Sequence, residues 1–80
     1  MKSFEFKYGN NWYLYDNGHI KKKLTFDYYD YFCPVLIDLS DKIDNFSEDQ
    51  LKSILEAILH AYFYGKKEKI REFKRVLNLD

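Results

Sequence analysis

The sequence has little of what most small-protein classes depend on. Its 80 residues hold one cysteine, one proline and three glycines. A single cysteine gives no disulfide framework. Three isolated glycines give no glycine-rich phosphate loop. No apolar run approaches the ~20 residues needed to cross a bilayer. Net charge is missing too, because thirteen basic and thirteen acidic groups cancel. A dedicated nucleic-acid binder is usually basic, so this balance counts against that class. The opening MKSFEFK alternates apolar and polar residues and reads as a strand rather than a signal peptide. A cytoplasmic protein made of one domain, residues 1–80, is expected.

Aromatic residues are abundant: eight Tyr, seven Phe and one Trp make up 20% of the chain. Each buries roughly 150–250 Å². Sixteen exceed the needs of so small a core, so some are expected on the surface, Tyr29 and Tyr31 with Tyr13, Tyr15 and Tyr64, where tyrosine suits protein contacts or a homodimer.

The first half has strand character. Phe4, Phe6 and Tyr8 alternate with Ser3, Glu5 and Lys7, and Gly9-Asn10-Asn11 signals a turn. Trp12–Tyr15 is a short aromatic run. Asn17-Gly18 suits the centre of a two-residue type I′ hairpin loop. The next strand is expected over about 19–28, a turn at Tyr29-Asp30-Tyr31, and a fourth strand over Val35–Leu39 behind Pro34. The second half has helix character. Ser47 and Gln50 form a capping-box pattern, Glu48 and Asp49 suit the first turn, and Phe46 with Leu51 can form a hydrophobic staple. An apolar stripe then runs from Leu51 to Phe63. Gly65 suits a helix C-terminus, and Ile70, Phe73, Val76 and Leu77 make a second stripe. The expected fold is α+β, a three- or four-stranded antiparallel meander (about 3–39) followed by one or two helices (about 48–64 and 67–78). The expected core includes Phe4, Phe6, Trp12, Leu14, Leu24, Phe26, Ile37, Leu51, Leu55, Ile58, Tyr62, Ile70 and Phe73.

Charge is segregated along the chain: net +3 over residues 1–26, −6 over 27–49 and +3 over 50–80. The acidic stretch interleaves with aromatics in Phe26-Asp27-Tyr28-Tyr29-Asp30-Tyr31-Phe32. Within it, Phe26, Tyr28 and Phe32 are expected to be partly core, and Tyr29, Asp30 and Tyr31 to point outward. Tyrosines beside carboxylates can hold a partner that offers Arg and Lys. The candidate partner-binding residues are therefore Asp27, Tyr29, Asp30, Tyr31, Asp41 and Asp44. The expected partner is another protein with a basic surface.

Catalysis and metal binding have weaker support. Asp38, Asp41 and Asp44 recur every third residue, but an EF-hand loop starting at Asp38 would put Ile43 where glycine is needed. Cys33, His19 and His60 lack zinc spacing. Cys33, before Pro34, suits a buried thiol, and His60 with Glu56 suits a surface helix pair. No enzyme activity, metal site or cofactor is expected, and no membrane partner. The alternative is a nucleic-acid contact through Lys67, Arg71, Lys74 and Arg75, which share one face of the last helix, with Lys21-Lys22-Lys23 as a second basic cluster.

In size and composition the chain resembles the very small single-domain proteins of phages and mobile elements of low-GC bacteria. Many of those bind and block a host protein, defence nucleases such as CRISPR effectors included. The resemblance implies an inhibitor without a catalytic site, and it carries over no particular residue.

Overall fold

The computed structural model describes residues 2–26 and 28–78. Its strands are β1 (Ser3–Tyr8), β2 (Asn11–Asp16), β3 (His19–Phe26), β4 (Tyr29–Phe32) and β5 (Ile37–Asp38). A 3-10 turn (Asp41–Asn45) and two helices follow, α1 (Glu48–Phe63) and α2 (Lys67–Val76). The fold is α+β: β1 to β4 pair antiparallel in chain order, and both helices lie C-terminal to them.

Two-residue loops set the register. Gly9-Asn10 places Tyr8 opposite Asn11, hence Phe6 opposite Tyr13 and Phe4 opposite Tyr15. Asn17-Gly18 places Asp16 opposite His19, hence Tyr15 opposite Ile20. Asn17 and Gly18 both take positive φ, 47° and 87°, as a type I′ loop requires. Facing residues share a side of the sheet, so Phe4, Phe6, Tyr13, Tyr15 and Ile20 form one inner face. Against it pack Leu51, Leu55, Ile58 and Leu59 of α1, with Leu39 and Ile43 closing one end.

The helix boundaries follow local chemistry. The Ser47 hydroxyl accepts from the Gln50 N–H at 3.2 Å, and the Gln50 side chain accepts from the Ser47 N–H at 3.0 Å, a complete capping box. Gly65, at φ 68°, ends α1 with the paired bonds of a Schellman motif, Lys66 N–H to Ala61 C=O and Gly65 N–H to Tyr62 C=O. The two stripes therefore belong to two helices. A partly buried polar tie anchors the 3-10 turn. The Tyr15 hydroxyl donates to the Asp44 carboxylate, which also accepts from the Lys2 backbone N–H. Burial, and then Asp44, push the Tyr15 phenol far above the usual tyrosine range.

Three sequence expectations are corrected. The chain does not turn at Tyr29–Tyr31. Those residues form β4, and the strand expected over Val35–Leu39 shrinks to the two residues of β5. Together β4 and β5 line one edge of β3, interrupted around Pro34. The inner face of β2 is Tyr13 and Tyr15, both buried rather than surplus on the surface, while Trp12 is exposed and Leu14 half-buried. Phe26, Tyr28 and Tyr62 are exposed rather than core, as is Val76 on α2.

Candidate protein-binding surface

The β3–β4 hairpin carries a dense group of exposed aromatics. Leu24 faces Tyr31 and Phe26 faces Tyr29, so these four share the helix side of the sheet. That side is uncovered here. Phe26 is 66% exposed, Tyr29 76% and Tyr31 48%, and Tyr28 in the loop is fully exposed. Tyr28 also takes φ 72°. The left-handed region costs a bulky residue roughly 1–2 kcal/mol, and such strain collects at functional positions. Tyr28→Gly is expected to stabilise the fold by about 0.5–1 kcal/mol, the relief of strain less the entropy that glycine adds to the unfolded chain. Urea unfolding measures this directly.

The structure separates the acids from the aromatics. Asp30 faces Thr25 on the opposite side of the sheet. The Thr25 hydroxyl donates to it at 2.8 Å and Lys23 lies 3.3 Å away. These two groups, Thr25 first, hold the Asp30 carboxyl below the usual carboxylate range. Lys23 also reaches Glu5 at 3.4 Å, and the two acids raise its pKa. Asp41 and Asp44 lie in the 3-10 turn, at the other end of β3 from the hairpin loop. Eight strand residues place them roughly 25 Å away. Asp44 is engaged by Tyr15 and Lys2, while Asp41 is exposed. Asp27 lies outside the described residues. Of the six candidate residues, Tyr29 and Tyr31 therefore share one surface, Asp30 lies behind it, and Asp41 and Asp44 belong elsewhere.

Pattern reading marked only Tyr64 of a second exposed aromatic group. At the end of α1, Tyr62, Phe63 and Tyr64 are 39%, 50% and 69% exposed. Phe63 stacks on Tyr8 at 6.4 Å, and Tyr64 lies against His60 at 4.6 Å. A shallow groove between Tyr8, Tyr13, Phe63 and Tyr64 opens on the helix side. The signal was present as three consecutive aromatics directly before a helix-ending glycine, which one helical stripe cannot bury together.

The remaining groups have ordinary surroundings. Asp38 accepts from the Ser40 N–H and lies 3.4 Å from His19. Cys33 is a half-buried thiol. Among the described residues no three His, Cys, Asp or Glu gather around a common point, and no helix is long and apolar enough to cross a membrane. On α2, Lys67, Arg71 and Arg75 are exposed and Lys74 is half-buried. Arg71 pairs with Glu68 at 2.9 Å, whereas Lys67, Lys74 and Arg75 have no ion pair among the described residues. Lys21 and Lys23 lie on the open side of the sheet and Lys22 on the helix side, since alternate strand residues face opposite ways. The triple-lysine run is thus not a single patch.

No protein-family model matches the chain, and no curated protein or solved structure is significantly similar to it.

Proposed function

We propose that this protein is a non-catalytic binding module that holds another protein through the helix-side face of the β3–β4 hairpin. The observation that carries this reading is the cluster of Phe26, Tyr29 and Tyr31, all exposed on one face of the β3–β4 pairing, with exposed Tyr28 in the adjoining loop. Tyrosine offers large contact area at low rotamer cost, and its hydroxyl tolerates water while no partner is bound. In its narrower form the module is an inhibitor, of the kind encoded by phages, that blocks a host nucleic-acid-processing or defence protein, such as a CRISPR effector, by covering its surface. The basic-partner version loses support from the geometry, because Asp30 is engaged by Lys23 and Thr25 behind the aromatic face.

Replacing Tyr28, Tyr29 and Tyr31 together with Ser should leave the circular dichroism spectrum unchanged and the thermal midpoint little altered, because all three are exposed. A partner captured from the native host by the wild-type chain should bind this variant at least about 100-fold more weakly, the scale of losing one central hot spot. Equal binding by the two would remove the hairpin from the site.

A second reading has one specific support, the unpaired Lys67, Lys74 and Arg75 beside Arg71 on α2. Anisotropy titrations of single- and double-stranded oligonucleotides at two salt concentrations separate it. Salt-sensitive binding lost in a variant of these four residues would favour a nucleic-acid contact.

A further inference from the structure

We infer that the outer edge of β1 pairs with β1 of a second copy of this chain, antiparallel and centred on Phe6. β1 ends the strand order, and no other described strand lies against its outer edge. The backbone there is set up for pairing. The two-residue Gly9-Asn10 loop makes Tyr8–Asn11 a hydrogen-bonded pair, and alternation then turns Phe6 and Phe4 towards β2 and Ser3, Glu5 and Lys7 outward. The Asn17 N–H to Lys2 C=O bond at 3.0 Å falls on the same alternation.

Symmetry limits the register. Two antiparallel edges related by a two-fold axis need that axis normal to the sheet, so both copies keep their helices on the same side. Facing residues must then share a side, and the centre must fall on a residue. Centring on Glu5 sets Glu5 against itself, and centring on Lys7 sets Lys7 against itself, which is repulsive in both cases. Centring on Phe6 sets Glu5 against Lys7 of the second copy, twice by symmetry. It makes those two the hydrogen-bonded pairs, and on the helix side it brings Phe4 opposite Tyr8 of the second copy and Phe6 opposite its equivalent. Glu5 contacts Lys23 through one carboxylate oxygen, and Lys7 has no partner among the described residues. Charge, backbone polarity and aromatic facing therefore agree on one register. The β4 edge has no such solution, because centring on Asp30 opposes two carboxylates and centring on Tyr31 sets Asp30 against Phe32. This interface uses the other edge of the sheet from the hairpin and stands independently of the partner proposed above.

Sedimentation equilibrium of the full chain over a dilution series tests it. The wild type should show a dimer that dissociates on dilution through the micromolar range, since so short an edge buries less than a standard interface. Glu5→Lys and Lys7→Glu should each lower the association constant by about tenfold, because each turns two attractive pairs into repulsive ones. The double variant Glu5→Lys, Lys7→Glu should regain wild-type association. Lys7→Glu guards against an effect on folding, as Lys7 has no ion pair or hydrogen bond to lose among the described residues, and circular dichroism checks each variant. A wild type that stays monomeric at every concentration overturns the inference. So does a dimer indifferent to the single changes, or single losses that the double variant does not restore.

Discussion

Tyr13→Ala is expected to destabilise the fold by about 3–5 kcal/mol, whereas Trp12→Ala, one residue away, should cost about 1 kcal/mol or less. Tyr13 is 1% exposed, stacked on Phe6 at 5.7 Å and tilted against Phe63 at 6.4 Å. Removing its ring opens a cavity at the centre of the sheet–helix contact, where Leu51, Leu55, Ile58 and Leu59 cannot close over it without moving α1. Trp12 is 48% exposed on the open side, opposite Lys7, and its loss uncovers little. A chain of this length has a total stability of roughly 4–12 kcal/mol, so the Tyr13 variant stands near the point of unfolding. Urea titrations followed by circular dichroism measure both changes, since Trp12 is the sole tryptophan and its variant loses the usual fluorescence signal. A larger effect at Trp12 than at Tyr13 would show that the sheet packs by its other face.

The second large effect is expected at Gly18. Its φ of 87° lies in the left-handed region, and a β-carbon there would collide with the Ser40 carbonyl. The close approach is part of the fold. The Gly18 C=O accepts from the Leu39 N–H at 2.7 Å, and Ser40, itself at φ 78°, leads the chain across the loop into the 3-10 turn that carries Ile43 and Asp44. Gly18→Ala therefore adds a backbone collision to the conformational penalty, for about 2–4 kcal/mol. Gly65→Ala is the matched control. It also has positive φ, 68°, but open space around it, so it should lose only about 1 kcal/mol. Thermal unfolding of the two variants side by side separates collision from conformation. Equal losses would mean that the Ser40 segment moves aside freely.

The ends of the elements were legible in the sequence because local chemistry decides them. Ser47 and Gln50 cap α1, Gly65 ends it, and Asn17-Gly18 turns one hairpin, each through bonds among neighbours in the chain. The inner face of β2 was harder. Trp12-Tyr13-Leu14-Tyr15 is apolar in both phases of a two-residue alternation, so alternation alone selects neither. The choice was nevertheless encoded in the Gly9-Asn10 loop, whose two residues place Tyr13 opposite Phe6. The candidate site divides in the same way. Tyr29 and Tyr31 were marked as outward, and they are. The neighbouring acids appeared to join them only because the sequence puts them side by side, whereas a strand turns Asp30 to the other face.

The sequence by itself thus determined the α+β class, the first two hairpin loops, the start of α1 and the surplus of aromatics. These depend on composition and on contacts within a few residues. Only the tertiary structure decided that β3 and β4 extend beyond the cover of α1, and that the acidic segment is split between two ends of the sheet. Those outcomes depend on where a helix packs and ends in space. The sixteen residues of α1 cover Phe6, Tyr13, Tyr15 and Ile20 and leave Phe26, Tyr29 and Tyr31 in water.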